Sequence, residues 1–239
     1  NSEVDVKLLE HCVREDLNNR ALRRMTVLEP LLLEIVNYPE GKTETLVSDN
    51  DPFLPEAGTR EMTFSKYIYI EEADFMENPP GKFFRLAPGK EVRLMNAYIV
   101  KYEDVVKDQD GNIVKVLVSC DFESKSGGAT AGRKVKGTLH WVDKATAVPA
   151  VVRQYDYLLK PAEEGERQDF MDRLNENSLM VYENALVEPA VKAAKPGEQF
   201  QMVRQGYYAC DYKEFTPEKP VLNLIVGLRD SYAKAMQQE

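Results

Sequence analysis

The spacing of hydrophobic residues changes near the start of the chain. Up to residue 17 they recur three or four positions apart, as on one face of an α-helix, at Leu8, Leu9, Cys12, Val13 and Leu17. This pattern predicts a helix over residues 6–17, which the polar pair at 18–19 ends. Because no second helical pattern follows it, we expect this helix to be the tail of a preceding helical domain.

From residue 23 onward the pattern changes to short runs rich in β-branched and aromatic residues, with turn residues between them. Alternation is clearest over residues 114–122, after an Asp-Gly pair typical of a hairpin turn. Strands are predicted over residues 31–37, 63–70, 85–101 (one or two strands), 114–122, 135–141, 151–159, 179–182, 199–203, 206–212 and 222–228. Residues 48–60 are predicted to be a loop, residues 168–174 a short helix, and residues 230–237 a short helix or a frayed tail.

Many short strands at regular spacing predict a β-sandwich or barrels, and barrels leave no exposed edge strand. The predicted fold is therefore mainly β, with two β-barrels after a short N-terminal helix. We expect residues 1–22 to form the helical tail, residues 23–142 the first barrel, and residues 143–239 the second barrel with a C-terminal tail.

Composition narrows the function. The 239 residues have ordinary hydrophobic (43%) and charged (30%) fractions, which indicates a packed globular protein. The net charge of -9 argues against a general nucleic-acid coat, whose affinity depends on many phosphate contacts. It still permits a local basic face, because steering depends on where the charges lie.

Cysteine and histidine are too sparse for most catalytic and metal sites. Cys12, Cys120 and Cys210 are far apart, which favours reduced, buried thiols in a cytoplasmic protein. With only His11 and His140, a histidine-based catalytic or metal site has few residues to draw on. No hydrophobic run approaches 20 residues, so no membrane span is expected. We therefore expect no catalytic residues, no metal and no cofactor in this chain.

Residues 88–98 are the most informative segment for binding. A Pro-Gly turn leads into a predicted strand that carries Arg93 on one face, and a strand can position a guanidinium accurately. Further positive charges flank it at Lys82, Arg85, Lys90 and Lys101. A second basic cluster, Arg133, Lys134 and Lys136, suits phosphate contacts. The alternative for both clusters is an ordinary solvated surface.

Other candidates lie where the helix meets the first barrel and on a strand late in the chain. Arg20, Arg23 and Arg24 suit ligand contacts at a domain junction, or else salt bridges to Glu15 and Asp16. Gln201 and Arg204 have forked donors that suit an unpaired base, or they are simply solvated. We interpret the acidic run at residues 71–77 as a solvated loop, and His140 with Trp141 as a core or interface pair.

Several segments resemble one family, in the same order along the chain: REDLN at 14–18, GKEVRL at 89–94, GRKVKG at 132–137 and VGLRD at 226–230. They are similar to the anticodon-binding part of the bacterial glutaminyl-tRNA synthetases. The resemblance implies a proximal and a distal β-barrel, the distal one similar to a ribosomal protein that binds 5S RNA. The family's ATP-binding motifs are absent. The chain is thus expected to be the C-terminal fragment of a glutamine–tRNA ligase whose catalytic domain uses ATP and magnesium.

The resemblance also implies roles for individual residues. Positions matching Arg23, Gln201 and Arg204 contact the middle anticodon base, a uracil. The position of Arg85 contacts the third base, a guanine, and Arg93 lies at the wobble base. Lys82, Lys90, Arg133, Lys134 and Lys136 are then candidates for tRNA backbone contacts.

Two positions depart from the family pattern, and both lose positive charge. Met95 replaces a second arginine and Phe84 replaces a frequent lysine. The expected partners are glutamine tRNA and the chain's own catalytic domain, and a monomer is expected. The alternatives are an RNA-binding β-barrel protein unrelated to synthetases and a protein–protein adaptor that docks through the basic strand.

Overall fold

A computed structural model of the chain describes residues 5–160 and 169–229. The helix α1 (Val6–Asn18) begins at Asp5, whose carboxylate accepts a hydrogen bond from the Lys7 amide at 2.8 Å. Its inner face contributes Leu17, which packs with Ala21, Tyr207 and Val226. The helix predicted over residues 6–17 is confirmed, and it lies against the second sheet described below.

Strands make up most of the described part of the chain. In chain order they are β1 (Leu22–Arg24), β2 (Thr26–Val27), β3 (Pro30–Ile35), β4 (Thr43–Asp49), β5 (Thr59–Ser65), β6 (Tyr67–Glu71), β7 (Glu91–Leu94), β8 (Ile99–Lys107), β9 (Ile113–Asp121), β10 (Thr138–Leu139), β11 (Val142–Asp143), β12 (Val148–Tyr155), β13 (Leu179–Val187), β14 (Gln199–Met202), β15 (Gly206–Cys210) and β16 (Val221–Gly227). Short 3-10 helices cover Pro55–Ala57, Glu72–Asp74, Phe122–Ser124, Met171–Arg173 and Pro189–Ala193.

The first sheet has the strand order β10-β7-β8-β9-β3-β6-β11. Its end strands, β10 and β11, are separated in the chain only by His140 and Trp141, so the sheet must curl until its two edges approach each other. The hairpin β4-β5 packs Phe64 into this core, edge-on to Trp141 with ring centroids 5.3 Å apart. The result is a barrel-like sheet with a single large core.

The second sheet closes in the same way. Its order is β1-β14-β15-β16-β12-β13-β2, and only Met25 separates the end strands β1 and β2. The mainly β fold with two barrel-like sheets and an N-terminal helix is therefore confirmed. The division at residues 142 and 143 stays a prediction. The structure adds that residues 22–27 hydrogen-bond into the second sheet, although they precede the first.

Several local predictions were wrong. Of the strand predicted over residues 135–141, only β10 forms. Residues 135–137 have no strand structure and line a cavity. The loop predicted over residues 48–60 is too long, because β4 extends to Asp49 and β5 begins at Thr59. The strand predicted over residues 63–70 is divided between β5 and β6. By contrast, the one or two strands predicted over residues 85–101 are confirmed as β7 and the start of β8, joined by a turn in which Asn96 has φ +57°. The short helix or frayed tail predicted over residues 230–237 lies outside the described residues.

The three cysteines are free, and two of them are buried. Burial raises the pKa of Cys120 and of Cys210 to about 12, so both thiols stay protonated at neutral pH. The expectation of a buried thiol was wrong for Cys12, which α1 exposes to solvent. Within residues 5–160 and 169–229, no helix combines the length and hydrophobicity to cross a membrane, and no three acidic, histidine or cysteine side chains cluster as metal ligands.

Candidate nucleic-acid interface

Arg23 and Gln201 share one cavity of about 270 Å³ between the two barrels. They are direct partners on the parallel strands β1 and β14, and this pairing brings the two side chains to the same face. Arg23 Nη1 donates to the Ala21 carbonyl at 2.7 Å, and Nη2 lies 3.3 Å from Asn18 Oδ1. Gln201 Nε2 donates to the Tyr207 hydroxyl at 2.8 Å, which donates to the same Asn18 oxygen. One network thus fixes both candidate base-binding side chains.

The opposite wall of this cavity comes from the first barrel and its hairpin. Asn96 holds a left-handed backbone and donates from Nδ2 to the Ser48 hydroxyl at 2.6 Å, which ties the β7-β8 turn to β4. Met95 precedes it, and Phe53 is 83% exposed at the rim. The cavity therefore combines forked donors with a few hydrophobic side chains, Met95 and Phe53 among them.

Arg204 and Arg85 converge from the two barrels on one buried carboxylate. Asp74 is 2% exposed, and its two oxygens accept from Arg204 Nη1 and Nη2 at 2.6 and 2.7 Å. Arg85 Nε lies 3.2 Å from Asp74 Oδ1. Hydrogen bonding to Asp74 raises the pKa of Arg204, so this guanidinium is always charged. A second cavity of about 250 Å³ lies beside this cluster.

His140 also contacts the guanidinium group of Arg204. Its Nδ1 lies 3.1 Å from Arg204 Nη1, and since a guanidinium only donates, Nδ1 must be the acceptor. The ring proton is then on Nε2, which donates to Glu71 Oε1 at 3.2 Å. Glu71 also accepts from Gln205 Nε2 at 2.6 Å. The first barrel thus holds the turn between β14 and β15, where Arg204 has a φ of +67°.

The interpretation of the acidic run as a solvated loop was wrong for Glu71 and Asp74. Both are buried, because Arg204 compensates the charge of Asp74, and hydrogen bonds from His140 and Gln205 satisfy the carboxylate of Glu71. Their place at the end of a hydrophobic strand, β6, was the signal that could have identified them. Of the salt bridges considered for the early arginines, the pair between Arg20 and Asp16 forms at 2.8 Å.

Arg93 is engaged differently. Its guanidinium donates to the carbonyls of Ser124, Ala131 and Arg133 at 2.9, 3.1 and 3.2 Å. It therefore braces the loop between β9 and β10. Arg133 also pairs with acidic residues, Glu91 and Asp121, the latter at 2.9 Å. These two arginines lie outside the cavities that hold the other predicted base contacts.

A third cavity, of about 570 Å³, carries most of the predicted backbone contacts. We call it the basic cavity; its lining includes Phe83, Phe84, Arg85, Lys90, Lys134 and Lys136. Lys82, which directly precedes Phe83 in the chain, is exposed. Arg85 lines both this cavity and the one beside Asp74. The structure therefore brings Arg23 together with Gln201, and Arg85 together with Arg204, and it connects the second pair to the basic cavity.

Comparisons with known proteins agree over nearly the whole chain. The family model described as "tRNA synthetases class I (E and Q), anti-codon binding domain" matches residues 21–123, and a second model of the same description matches residues 138–211. The chain is 48% identical to a glutamine–tRNA ligase of Bradyrhizobium diazoefficiens over 235 residues, which are 98% of this chain and 42% of that protein.

Two further relatives give the same result. A glutamine–tRNA ligase of Clostridium perfringens is 47% identical over 97% of the chain, and one of Tolumonas auensis is 46% identical over 96%. The chain spans 42% and 41% of these two proteins. It thus corresponds to about two fifths of the length of its curated relatives, and it belongs to the family of anticodon-binding domains of the class I tRNA synthetases for glutamate and glutamine.

Proposed function

We propose that this chain reads the anticodon of glutamine tRNA as the C-terminal part of a glutamine–tRNA ligase. The observation that carries the proposal is the pairing of Arg23 with Gln201 in a cavity between the barrels. Unpaired RNA bases are recognised by hydrogen bonds to their exposed edges, and side chains with several forked donors and acceptors suit that task. The middle base, a uracil, is the proposed occupant.

Arg204 is proposed to contact the same middle base, and Arg85 the third base. Asp74 accepts one hydrogen bond from Nη1 and one from Nη2 of Arg204, and this bidentate pair fixes the orientation of the whole guanidinium group. Preorganised donors of this kind lose little conformational entropy on binding. A bidentate contact to a base, such as the amide of Gln201 can make, is expected to supply about 1–3 kcal/mol of discrimination between bases.

The remaining basic candidates are proposed to contact the RNA backbone. Lys90, Lys134 and Lys136 line the basic cavity, and Lys82 lies beside it. Arg93 is proposed to act at the wobble base by holding the loop that ends at Arg133, since its own donors are bound to that loop.

In the parent ligase, we propose, a preceding catalytic domain uses ATP and magnesium to attach glutamine to the tRNA. The present chain contributes recognition to that reaction and forms no covalent bond itself. Its partners are then glutamine tRNA and its own catalytic domain, and we expect a cytoplasmic monomer.

The test is a titration of the purified chain with an anticodon stem-loop of glutamine tRNA and with the same RNA changed at the middle base. Fluorescence anisotropy at low salt should show tighter binding of the first RNA. Arg204→Lys keeps the charge but not the fork, so it should remove most of this preference. The matched control is Arg153→Lys, whose parent side chain pairs with Glu214 on another face of the second barrel. Equal affinity of the parent chain for both RNAs contradicts the proposal, and no RNA response at all favours a protein adaptor.

A further inference from the structure

An aromatic side chain stands at the basic cavity where charge would be expected. Phe84 is 53% exposed, although burial of such a large hydrophobic side chain would favour folding. Lys136 Nζ lies 5.3 Å from the centre of its ring. The neighbouring Phe83 ring has Arg85 and Lys90 within 5.8 Å. Two aromatic rings surrounded by cations therefore line one cavity.

The backbone that carries Phe84 is held in place. A Cβ atom at Gly137 would lie 2.5 Å from the Phe84 carbonyl oxygen, so the two backbones are in direct contact. The Gly137 carbonyl accepts from the Arg93 amide at 2.8 Å, which anchors it to β7. On the other side, Lys90 Nζ donates to the Phe83 carbonyl at 2.6 Å. Both sides of this short segment are therefore fixed to the first barrel.

This combination of groups matches one ligand chemistry. Every nucleic-acid base has a π face that can stack on an aromatic ring, and the phosphates beside it attract lysine and arginine. The one acidic residue of the lining, Glu91, is paired with Arg133, so its charge is compensated. A purely hydrophobic peptide would leave the surrounding cations without partners.

We propose that Phe84 is a stacking platform for an unpaired base of the anticodon loop, namely the base that Arg85 contacts. This rests on the proposed function and adds to it a residue that supplies affinity without reading base identity. The base stacks on the ring face that Lys136 does not cover, and Lys136 meets the adjoining phosphate. Stacking on Phe84 thus supplies affinity for the RNA that a lysine at this position would supply by its charge. Unlike the attraction between charges, stacking is not screened by salt.

The test uses Phe84→Leu and Phe84→Trp with the glutamine anticodon stem-loop and with a copy that lacks the third anticodon base. Phe84→Leu should weaken binding of the complete RNA by about 5- to 150-fold, the equivalent of one stacked base, and Phe84→Trp should bind as well as the parent. On the abasic RNA, the parent and Phe84→Leu should bind equally. Phe170→Leu, at a similarly exposed ring (54%) on the second barrel, is the control and should change nothing.

The outcomes separate this inference from the proposed function. If the parent chain prefers the glutamine anticodon but Phe84→Leu binds as tightly as the parent, the stacking role is refuted and the function stands. If Phe84→Leu weakens both RNAs equally, the ring supports the fold of the cavity and the inference is again refuted. A parent chain without RNA affinity that binds an acidic aromatic peptide refutes both. Circular dichroism checks that each variant is folded. Each should be folded, because the substituted side chains are exposed.

Discussion

A buried ion cluster joins the two barrels, and its charges can be tested separately. Glu188 is 1% exposed at the start of the 3-10 helix after β13. Its carboxylate accepts from Arg60 Nε and, at 3.0 Å, from Arg60 Nη2, while Arg24 Nε lies 3.8 Å from Oε1. It also accepts from the Met25 amide at 2.9 Å. One carboxylate therefore compensates two guanidinium groups at the junction.

Removing the carboxylate and removing one guanidinium group should lower the free energy of unfolding by different amounts. Glu188→Gln leaves two buried guanidinium groups without a counterion and should cost about 3–5 kcal/mol. Arg60→Met removes charged hydrogen bonds worth about 1.5–3 kcal/mol. Its effect is smaller because Arg24 Nε, which has no hydrogen-bond partner among the described residues, can then take Glu188. Burial lowers the pKa of Arg24 and Arg60 lowers it further, as expected for two like charges.

Combining the substitutions gives a sign reversal. In the parent, Arg60→Met should reduce the free energy of unfolding. In the Glu188→Gln background it should increase it, because it then removes one of two uncompensated buried charges. An additive pair of effects would refute this account of the junction, and so would an Arg60→Met variant that is less stable than Glu188→Gln.

The measurement is urea unfolding followed by the fluorescence of Trp141, the single tryptophan, which is fully buried in the first barrel. Lys107→Met serves as the control. Its parent side chain is 40% exposed and pairs with Glu77, so its loss should cost less than about 1 kcal/mol. Hydrogen exchange at the Met25 amide reports whether the junction opens before the barrels unfold.

Two other predictions concern a titrating carboxyl and a glycine contact. Burial raises the pKa of folded Asp143 above its ordinary value of 3.8, so the folded chain binds this proton more tightly and the free energy of unfolding falls as pH rises between the unfolded and folded pKa values. Asp143→Asn removes this titration, and its stability relative to the parent should rise with pH over that interval in urea titrations; a flat or falling difference contradicts the assignment. Gly137→Ala should destabilise the chain by about 1–3 kcal/mol because its Cβ meets the Phe84 carbonyl, whereas Gly132→Ala, with no atom within 4 Å, should have little effect in the same assay.

Local patterns were enough to predict the class of fold. Alternation over residues 114–122 gave β9, and the helical spacing up to residue 17 gave α1. How the sheets close depends on partners far apart in sequence, such as β1 with β14, and no local pattern carries that information. No strand was predicted over β4. Its sequence is mostly polar, and which of its residues are buried is decided only by tertiary packing.

The same limit applies to the candidate site. Forked side chains could be selected from the sequence, yet their grouping required coordinates. Arg204 reaches Asp74 across 130 positions of the chain, and this pairing buries a carboxylate that sequence reasoning left in solvent. Arg93 had the expected strand position, but the loop that its guanidinium braces is unrelated to the local pattern.

The charge of the chain illustrates why composition was a weak guide to its partner. The net charge of -9 counts each acidic residue equally, whether it faces solvent or a guanidinium. Near the basic cavity, the acidic side chains are bound within the protein: Asp74 holds Arg204 and Arg85, and Glu91 holds Arg133. No salt bridge within residues 5–160 and 169–229 joins Lys134 or Lys136 to an acidic residue. The acidic residues therefore position the arginines and leave the charge of Lys134 and Lys136 uncompensated, so an acidic protein can present a local basic face, as the proposed contact with an RNA backbone requires.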